Sequence, residues 1–181
     1  HAQRQGLTVI ARLGFVSAWA RTKDSAPSYL DDAHFPHFAR FVGAFVEHFK
    51  GRIHHVIIWN EPNLNFEWGY QPVSPEGYAG LLKTVYPAAK RADPAVQILA
   101  GALAPTLAPA GSTDAMSDLE YLQGMYDAGA RDYFDALAIH SYGWRAPADE
   151  PPSPDRINFR RAELARAVMV QNGDAGKHAF I

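Results

Sequence analysis

An Asn-Glu pair at the end of an apolar run is the stretch of this sequence best suited to chemistry. The run 56–59 (Val-Ile-Ile-Trp) leads directly into Asn60 and Glu61, and Pro62 ends it. A short unbroken apolar run is typical of a strand that is buried on both faces of a parallel sheet. Parallel α/β folds place their reactive groups at the carboxyl ends of such strands. The sequence therefore predicts that this polar pair lies at the functional edge of a sheet.

Glu61 is the candidate proton donor of the pair. A carboxyl group just past a buried strand has apolar walls on one side and water on the other. Partial burial favours the protonated form of a carboxyl group, which a general acid needs near neutral pH. Asn60 can hold a hydroxyl group without adding a second charge. The alternative is that Glu61 is a helix N-terminal charge or a solvated loop residue.

Five strands are expected to position these residues. Short apolar runs between Gly, Pro and Asp residues predict strands at residues 7–13, 53–59, 96–100, 134–139 and 177–181. The fourth of them ends at His140-Ser141-Tyr142, so these side chains should reach the same edge of the sheet as Glu61.

Helices are predicted between the strands. One apolar helix face begins after an N-cap at Asp31 or Asp32 and stops at Gly51. Its members recur at three- and four-residue steps: Phe35, Phe38, Val42, Phe45, Val46 and Phe49. Ser74-Pro75-Glu76 predicts a second helix that reaches about Arg91, and Pro87 should kink or shorten it. Further helices are expected at residues 1–6, 117–128 and 157–171.

This β-α alternation predicts an α/β fold with a parallel sheet and right-handed crossovers. Two architectures fit it: an open doubly wound sheet, or a portion of a (β/α)8 TIM barrel. A complete barrel has eight strands and usually about 250 residues. No Gly-rich phosphate-binding turn follows the first predicted strand, which argues against a nucleotide-binding fold.

Length and composition limit the number of domains, the partners and the location that the sequence allows. A chain of 181 residues predicts one domain with a sizeable core. The net charge of −2 gives no indication of nucleic acid or an anionic membrane as a partner, and no apolar run approaches a membrane span. The absence of cysteine excludes a disulfide framework and a thiolate metal site. The chain begins at His1 without a signal peptide, so we expect a processed or excised piece, and secretion or a periplasmic location stays open.

Aromatic side chains in the loops after the strands are candidates for sugar binding. They are Trp19, Trp68, Trp144 and Tyr142. The apolar faces of pyranose rings stack on aromatic rings, whereas the alternative role of such residues is packing within the loops. Trp59 directly precedes Asn60, so its side chain should point toward the helices and the core.

The histidines do not predict a metal site. His34 and His37 lie three residues apart on a predicted helix, but no acidic or histidine partner with ligand spacing completes them. His54 and His55 are adjacent on a strand and therefore face opposite sides of the sheet. No metal or other cofactor is predicted. One basic cluster is expected on a solvated helix face: Arg160, Arg161 and Arg166.

The string 59–64 (Trp-Asn-Glu-Pro-Asn-Leu) resembles the strand-four motif of the clan A retaining glycoside hydrolases. Glu67-Trp68, the string 74–78 (Ser-Pro-Glu-Gly-Tyr), Asp93-Pro94 and the string 140–143 (His-Ser-Tyr-Gly) are typical of the group around family 39 and the related family 5 endoglycosidases. From Leu7 onward the chain is similar to strands three to six and the opening of strand seven of such a barrel. The resemblance implies that residues 1–181 are a single partial catalytic domain, truncated at both ends.

What this resemblance implies is a glycoside hydrolase that cleaves the O-glycosidic bonds of a polysaccharide or glycoside by a retaining mechanism. Glu61 would be the general acid/base, and Asn60 would bind the 2-hydroxyl group of the reacting sugar. His140 and Tyr142 match positions after strand six that contact the nucleophile or the substrate. The cleft would be lined by Trp68 and Trp144, with Trp19 as a further candidate. Carbohydrate is the partner that the resemblance implies.

The nucleophile of the clan is a second Glu at the end of strand seven, and we expect it just beyond Ile181. A retaining glycosidase needs two carboxyl groups about 5–5.5 Å apart. Asp135 lies at the start of its predicted strand, and Glu67 and Glu150 lie in loops, so none of them is a good substitute. The clan's arginine near the end of strand two is expected before His1. The 181 residues are therefore expected to be incomplete for catalysis on their own.

Two other functions stay open from the sequence. One is a non-catalytic carbohydrate-binding or scaffold fragment of a barrel, and the other is a different (β/α) enzyme that uses Glu61 with a metal. The outer strands, at residues 7–13 and 177–181, would expose unpaired backbone groups if the chain ended there. Self-association through these edges is expected in that case.

Overall fold

The computed structural model describes all of residues 1–181, and its five strands form one parallel sheet. The strands are β1 (Ile10–Leu13), β2 (His55–Ile58), β3 (Gln97–Leu103), β4 (Ala136–Ile139) and β5 (His178–Phe180). All five predicted strands exist. Their ends differ most at β1, which does not include residues 7–9, and at β3, which continues through residues 101–103, beyond the predicted end at residue 100.

Four α-helices alternate with the strands. They are α1 (Phe35–His48), α2 (Pro75–Ala92), α3 (Asp118–Asp127) and α4 (Ala162–Gln171), with short 3-10 helices at Ala2–Gln5, Ala18–Ala20, Arg131–Tyr133 and Phe159–Arg161. The hydroxyl of Ser74 accepts a hydrogen bond from the Gly77 N–H at 2.9 Å, which is the predicted cap of α2. None of the helices combines the length and the apolarity that crossing a membrane requires.

Of the two effects expected of Pro87, a kink or a shortening of the second helix, the shortening does not occur. Helix α2 continues through Pro87 to Ala92. A proline removes one backbone hydrogen bond from a helix interior. Here Val85 and Ala89, on either side of it, are fully buried in the core, and this packing holds the helix together across the missing bond.

The strand order decides between the two predicted architectures. Each strand pairs in parallel with the next strand of the chain, in the order β1-β2-β3-β4-β5. A doubly wound sheet reverses its strand order at a switch point, and this sheet has no reversal. The fold is therefore a portion of a (β/α)8 barrel.

The two faces of the sheet have different neighbours. Val56 and Ile58 point toward the helices and belong to the main core of 34 buried residues. Ile57 points to the opposite face, which corresponds to the barrel interior, and packs, as Phe180 does, against the small cluster that contains Leu99. The alternation follows from the two-residue period of a strand. It gives β2 apolar contacts on both faces, as its unbroken apolar run predicts.

The hydroxyl of Tyr78 bridges β2 and β3 close to their carboxyl ends. It donates to the Ile58 carbonyl at 2.6 Å and accepts from the Gly101 N–H. Burial raises the pKa of Tyr78, so the hydroxyl keeps the proton that it donates. A Cβ atom at position 101 would lie 2.9 Å from both the Ile58 carbonyl oxygen and the Tyr78 hydroxyl, so only glycine fits there. Tyr78 thereby fixes the backbone two residues before Asn60.

Replacing Tyr78 with Phe should lower the free energy of unfolding by about 1–3 kcal/mol, because it leaves a buried carbonyl and a buried N–H without a partner. Urea denaturation of the full-length polypeptide measures this change. Tyr70→Phe is the matched control, since Tyr70 is exposed and its hydroxyl has no partner. Equal unfolding midpoints for the two variants would show that the bridge does not stabilise the fold.

The expectation of a solvated basic cluster is wrong for Arg161. Its side chain is 3% exposed and pairs with Asp118 at 2.8 Å. Arg160 lies at the surface and pairs with Glu163, whereas Arg166 donates to the carbonyls of residues 174 and 175. Arg161 ends a 3-10 turn that precedes α4, and this turn directs its side chain inward toward α3 instead of along the exposed helix face.

Candidate active site

The backbone around Asn60 and Glu61 is fixed from both neighbouring strands. The Trp59 N–H donates to the Leu13 carbonyl at the end of β1 at 2.7 Å, and the Glu61 N–H donates to the Ala102 carbonyl of β3 at 3.0 Å. Trp59 and Glu61 both have positive φ angles, 74° and 40°. Such a conformation costs a bulky residue about 1–3 kcal/mol and persists where the surroundings enforce it. The strain is concentrated on the two residues that flank Asn60.

Trp59 anchors this turn in the core, as predicted. Its ring packs edge-on against Phe38 at 5.6 Å and against Trp68 at 5.6 Å between ring centroids. Its indole N–H donates to the Glu67 carbonyl at 2.8 Å. The large ring on the helix side leaves Asn60 and Glu61 at the carboxyl edge of the sheet.

Glu61 and His140 form a direct contact between two loops of the sheet edge. Glu61 Oε1 lies 2.7 Å from His140 Nδ1, and the two side chains are 17% and 28% exposed. His140 follows β4, two strands away from β2, so the contact crosses over the end of β3. A carboxyl group that has one oxygen bound and stays open to water on one side is suited to proton transfer.

Asn60 is buried and is bound by a residue that the sequence analysis did not single out. The guanidinium of Arg12, on β1, donates to Asn60 Oδ1. Arg12 stands between Ala11 and Leu13, and a charged side chain at an inward position of an apolar strand is the signal that could have identified it.

Three aromatic rings extend from Glu61 toward solvent. The ring centroids of His140 and Tyr142 are 5.7 Å apart, and those of Tyr142 and Trp144 are 6.0 Å apart. Trp144 is 77% exposed and has a positive φ angle of 47°. The structure thus brings His140, Tyr142 and Trp144 into one row that begins at the carboxyl group of Glu61.

The other two tryptophans lie apart from this row. Trp68 is 4% exposed, and its ring packs against Trp59 and Tyr78, so neither face is open to a sugar. The expected cleft position of Trp68 is therefore corrected to a core position, because its ring packs between Trp59 and Tyr78 of α2. Trp19 is exposed and lines a small apolar hollow with Phe15 and Phe41.

Two of the other acidic residues considered as partners for Glu61 are engaged elsewhere. Asp135 accepts from the Ile98 N–H at 2.8 Å and pairs with Lys90, at the amino ends of the strands. Glu150 accepts from Asn158 and pairs with Arg156. No three His, Asp or Glu side chains come together as a set of metal ligands.

Comparisons with known proteins identify the fold. No protein-family model and no curated protein sequence matches the chain. A family 39 glycoside hydrolase from Bacteroides cellulosilyticus WH2 superposes with a TM-score of 0.58 at 23% identity, over 87% of this chain and 31% of that one. A glucosidase from Croceicoccus marinus gives 0.65 at 19% identity, over 98% and 34%. A monomeric beta-xylosidase from Caulobacter crescentus CB15 gives 0.57 at 22% identity, over 93% and 35%.

This chain spans about a third of the length of these solved structures. At such identities the similarity establishes a shared fold alone, a portion of a (β/α)8 barrel.

Proposed function

We propose that the protein is a retaining glycoside hydrolase that cleaves O-glycosidic bonds of a polysaccharide or glycoside, with Glu61 as its general acid/base. The observation that carries the proposal is the Glu61 carboxyl group, held by His140 at the carboxyl edge of a barrel sheet and adjacent to Asn60. Barrels of this kind place catalytic groups at that edge. Residues 1–181 would form part of a single catalytic domain.

Glu61 would act twice in the reaction. Because Oε1 is bound to His140, Oε2 is the oxygen that is available to the substrate. In the first step its proton passes to the glycosidic oxygen while the bond from that oxygen to the anomeric carbon breaks. In the second step the Glu61 carboxylate takes a proton from water as the water oxygen attacks the anomeric carbon.

The first step also needs a nucleophile, which we propose to be a Glu just beyond Ile181. Its carboxylate would bond to the anomeric carbon as the leaving group departs, and water would later displace it. A separation of about 5–5.5 Å from Glu61 suits this mechanism, since it leaves no room for a water molecule in the first step.

Asn60 and the aromatic row would hold the sugar. Asn60 would bind the 2-hydroxyl group of the reacting ring, next to the glycosidic bond. His140 would line the same subsite and orient Glu61. Tyr142 and Trp144 would provide apolar ring faces for the sugar units that follow. Trp19 would extend the surface on the side of β1.

The stereochemistry of the product tests this proposal. The full-length polypeptide should hydrolyse at least one member of a panel of nitrophenyl glycosides. We expect the first sugar released to keep the anomeric configuration of the substrate, because two displacements at one carbon restore it. Proton NMR of the anomeric signals during the first minutes measures this. Inversion would contradict the retaining mechanism, and sugar binding without hydrolysis would indicate a carbohydrate-binding protein instead.

A further inference from the structure

Arg12 lies on the inner face of the sheet beside the proposed active site. It pairs in register with Ile57 of β2, whose side chain points into the barrel interior. Its guanidinium donates to Asn60 Oδ1, although the two residues are 48 positions apart in the chain. Arg12, Asn60 and Glu67 line one cavity of about 50 Å³.

The contact determines how the amide of Asn60 is oriented. A guanidinium group has only donors, so the atom that faces it must be the amide oxygen. The NH2 group of Asn60 therefore points away from Arg12. Arg12 is the only residue that hydrogen-bonds the Asn60 side chain, which is otherwise buried, so no second contact competes for this orientation.

An ordinary structural role does not account for Arg12. It has no carboxylate within ion-pair distance, even though Glu67 borders the same cavity. Its guanidinium binds no backbone carbonyl either, in contrast to Arg21, which joins the carbonyls of residues 16 and 25. Its one polar contact is with the amide of Asn60.

We propose that Arg12 is a positioning residue that fixes Asn60 as a hydrogen-bond donor toward the substrate. This inference rests on the proposed glycosidase function. The group that faces Asn60 must then accept a hydrogen bond, as the oxygen of a sugar hydroxyl does. The positive charge of the Arg12 guanidinium, hydrogen-bonded to the amide oxygen, also polarises the N–H bonds of Asn60 and strengthens the hydrogen bond that they donate. Arg12 acts through Asn60 and does not touch the sugar.

A double-variant experiment separates this role from direct binding. In the full-length polypeptide, Arg12→Met should lower kcat/KM about tenfold to a hundredfold, in the range of a hydrogen bond to a charged group. The loss should fall mainly on kcat, because the contact to the 2-hydroxyl strengthens in the transition state. Asn60→Ala should cost at least as much. Adding Arg12→Met to Asn60→Ala should then cost almost nothing more.

Two controls sharpen the comparison. Arg12→Lys keeps a cationic donor and should recover part of the lost kcat. With a 2-deoxy glycoside, wild type and Arg12→Met should differ little, because the hydroxyl that Asn60 binds is missing. Losses that add up in the double variant, or an unchanged loss with the deoxy substrate, would overturn the inference.

An NMR measurement tests the orientation without any turnover. Selective ¹⁵N-asparagine labelling gives the side-chain NH2 signals, and Asn60→Asp identifies the pair that belongs to Asn60. Arg12→Met should shift both proton signals of that pair, and an unmoved pair would overturn the inference. If the wild-type protein hydrolyses no glycoside, but Arg12→Met still shifts the NH2 signals of Asn60, the proposed function is refuted and the positioning of Asn60 by Arg12 stands.

Discussion

Replacing Glu61 with Gln in the full-length polypeptide should lower kcat/KM for an alkyl glycoside by about 10²- to 10⁴-fold, the usual contribution of general acid-base catalysis. Gln has the same shape and retains an oxygen for the His140 contact, but it cannot give a proton to the leaving oxygen. A 2,4-dinitrophenyl glycoside should lose far less in its first step, because dinitrophenolate leaves without protonation. Steady-state kinetics on the two substrates measure the difference.

The control for this variant is Glu47→Gln. Glu47 lies on the exposed side of α1, away from the sheet edge, and its replacement is the same chemical change. The Glu47→Gln variant should turn over both substrates like the wild type. An equal loss for Glu61→Gln on both substrates would mean that Glu61 is not the proton donor, and full activity would remove it from the mechanism.

Replacing Arg161 with Met should lower the free energy of unfolding by about 3–5 kcal/mol, because it leaves the buried Asp118 carboxylate without its ion-pair partner. Arg161 Nη2 lies 2.8 Å from Asp118 Oδ1, and both side chains are buried. Its other amino group donates to the carbonyls of Ser153 and Pro154. The lost contacts therefore destabilise α3 and the loop that also carries Trp144.

Chemical denaturation of the full-length polypeptide measures this loss, with the neighbouring Arg160→Met as control. Arg160 pairs with Glu163 at the surface, where ion pairs contribute little, so its variant should unfold close to the wild-type midpoint. The double variant Arg161→Met with Asp118→Leu should recover part of the stability, since it removes the unpaired charge. Equal midpoints for Arg160→Met and Arg161→Met would show that the buried pair does not stabilise the fold.

Local patterns determined much of this fold. The run 56–59 identifies β2 because an apolar strand followed by polar residues and a proline has few other conformations. The period of α1 and the cap at Ser74 are likewise properties of neighbouring residues. The alternation of strands and helices limits the architecture to two choices. Strand order, which is a long-range property, was needed to choose between them.

The sequence also pointed to the candidate site residues, but it did not determine their neighbours. His140 lies 79 positions from Glu61, and Arg12 lies 48 positions from Asn60. Such contacts depend on the register of four parallel strands, β1 to β4, and on the turn at the end of β2. Neither is set by local propensity.

Burial of single side chains was decided by the tertiary structure alone. Trp68 and Trp144 both follow strands in aromatic loops, yet one is enclosed by Trp59 and Tyr78 and the other is open to solvent. Arg160 and Arg161 are adjacent residues of the same type, but only Arg161 pairs with a buried carboxylate. The sequence determines which elements form because backbone preference and hydrophobic period are local. Which side chains meet is decided by packing, because that depends on where distant elements place their surfaces.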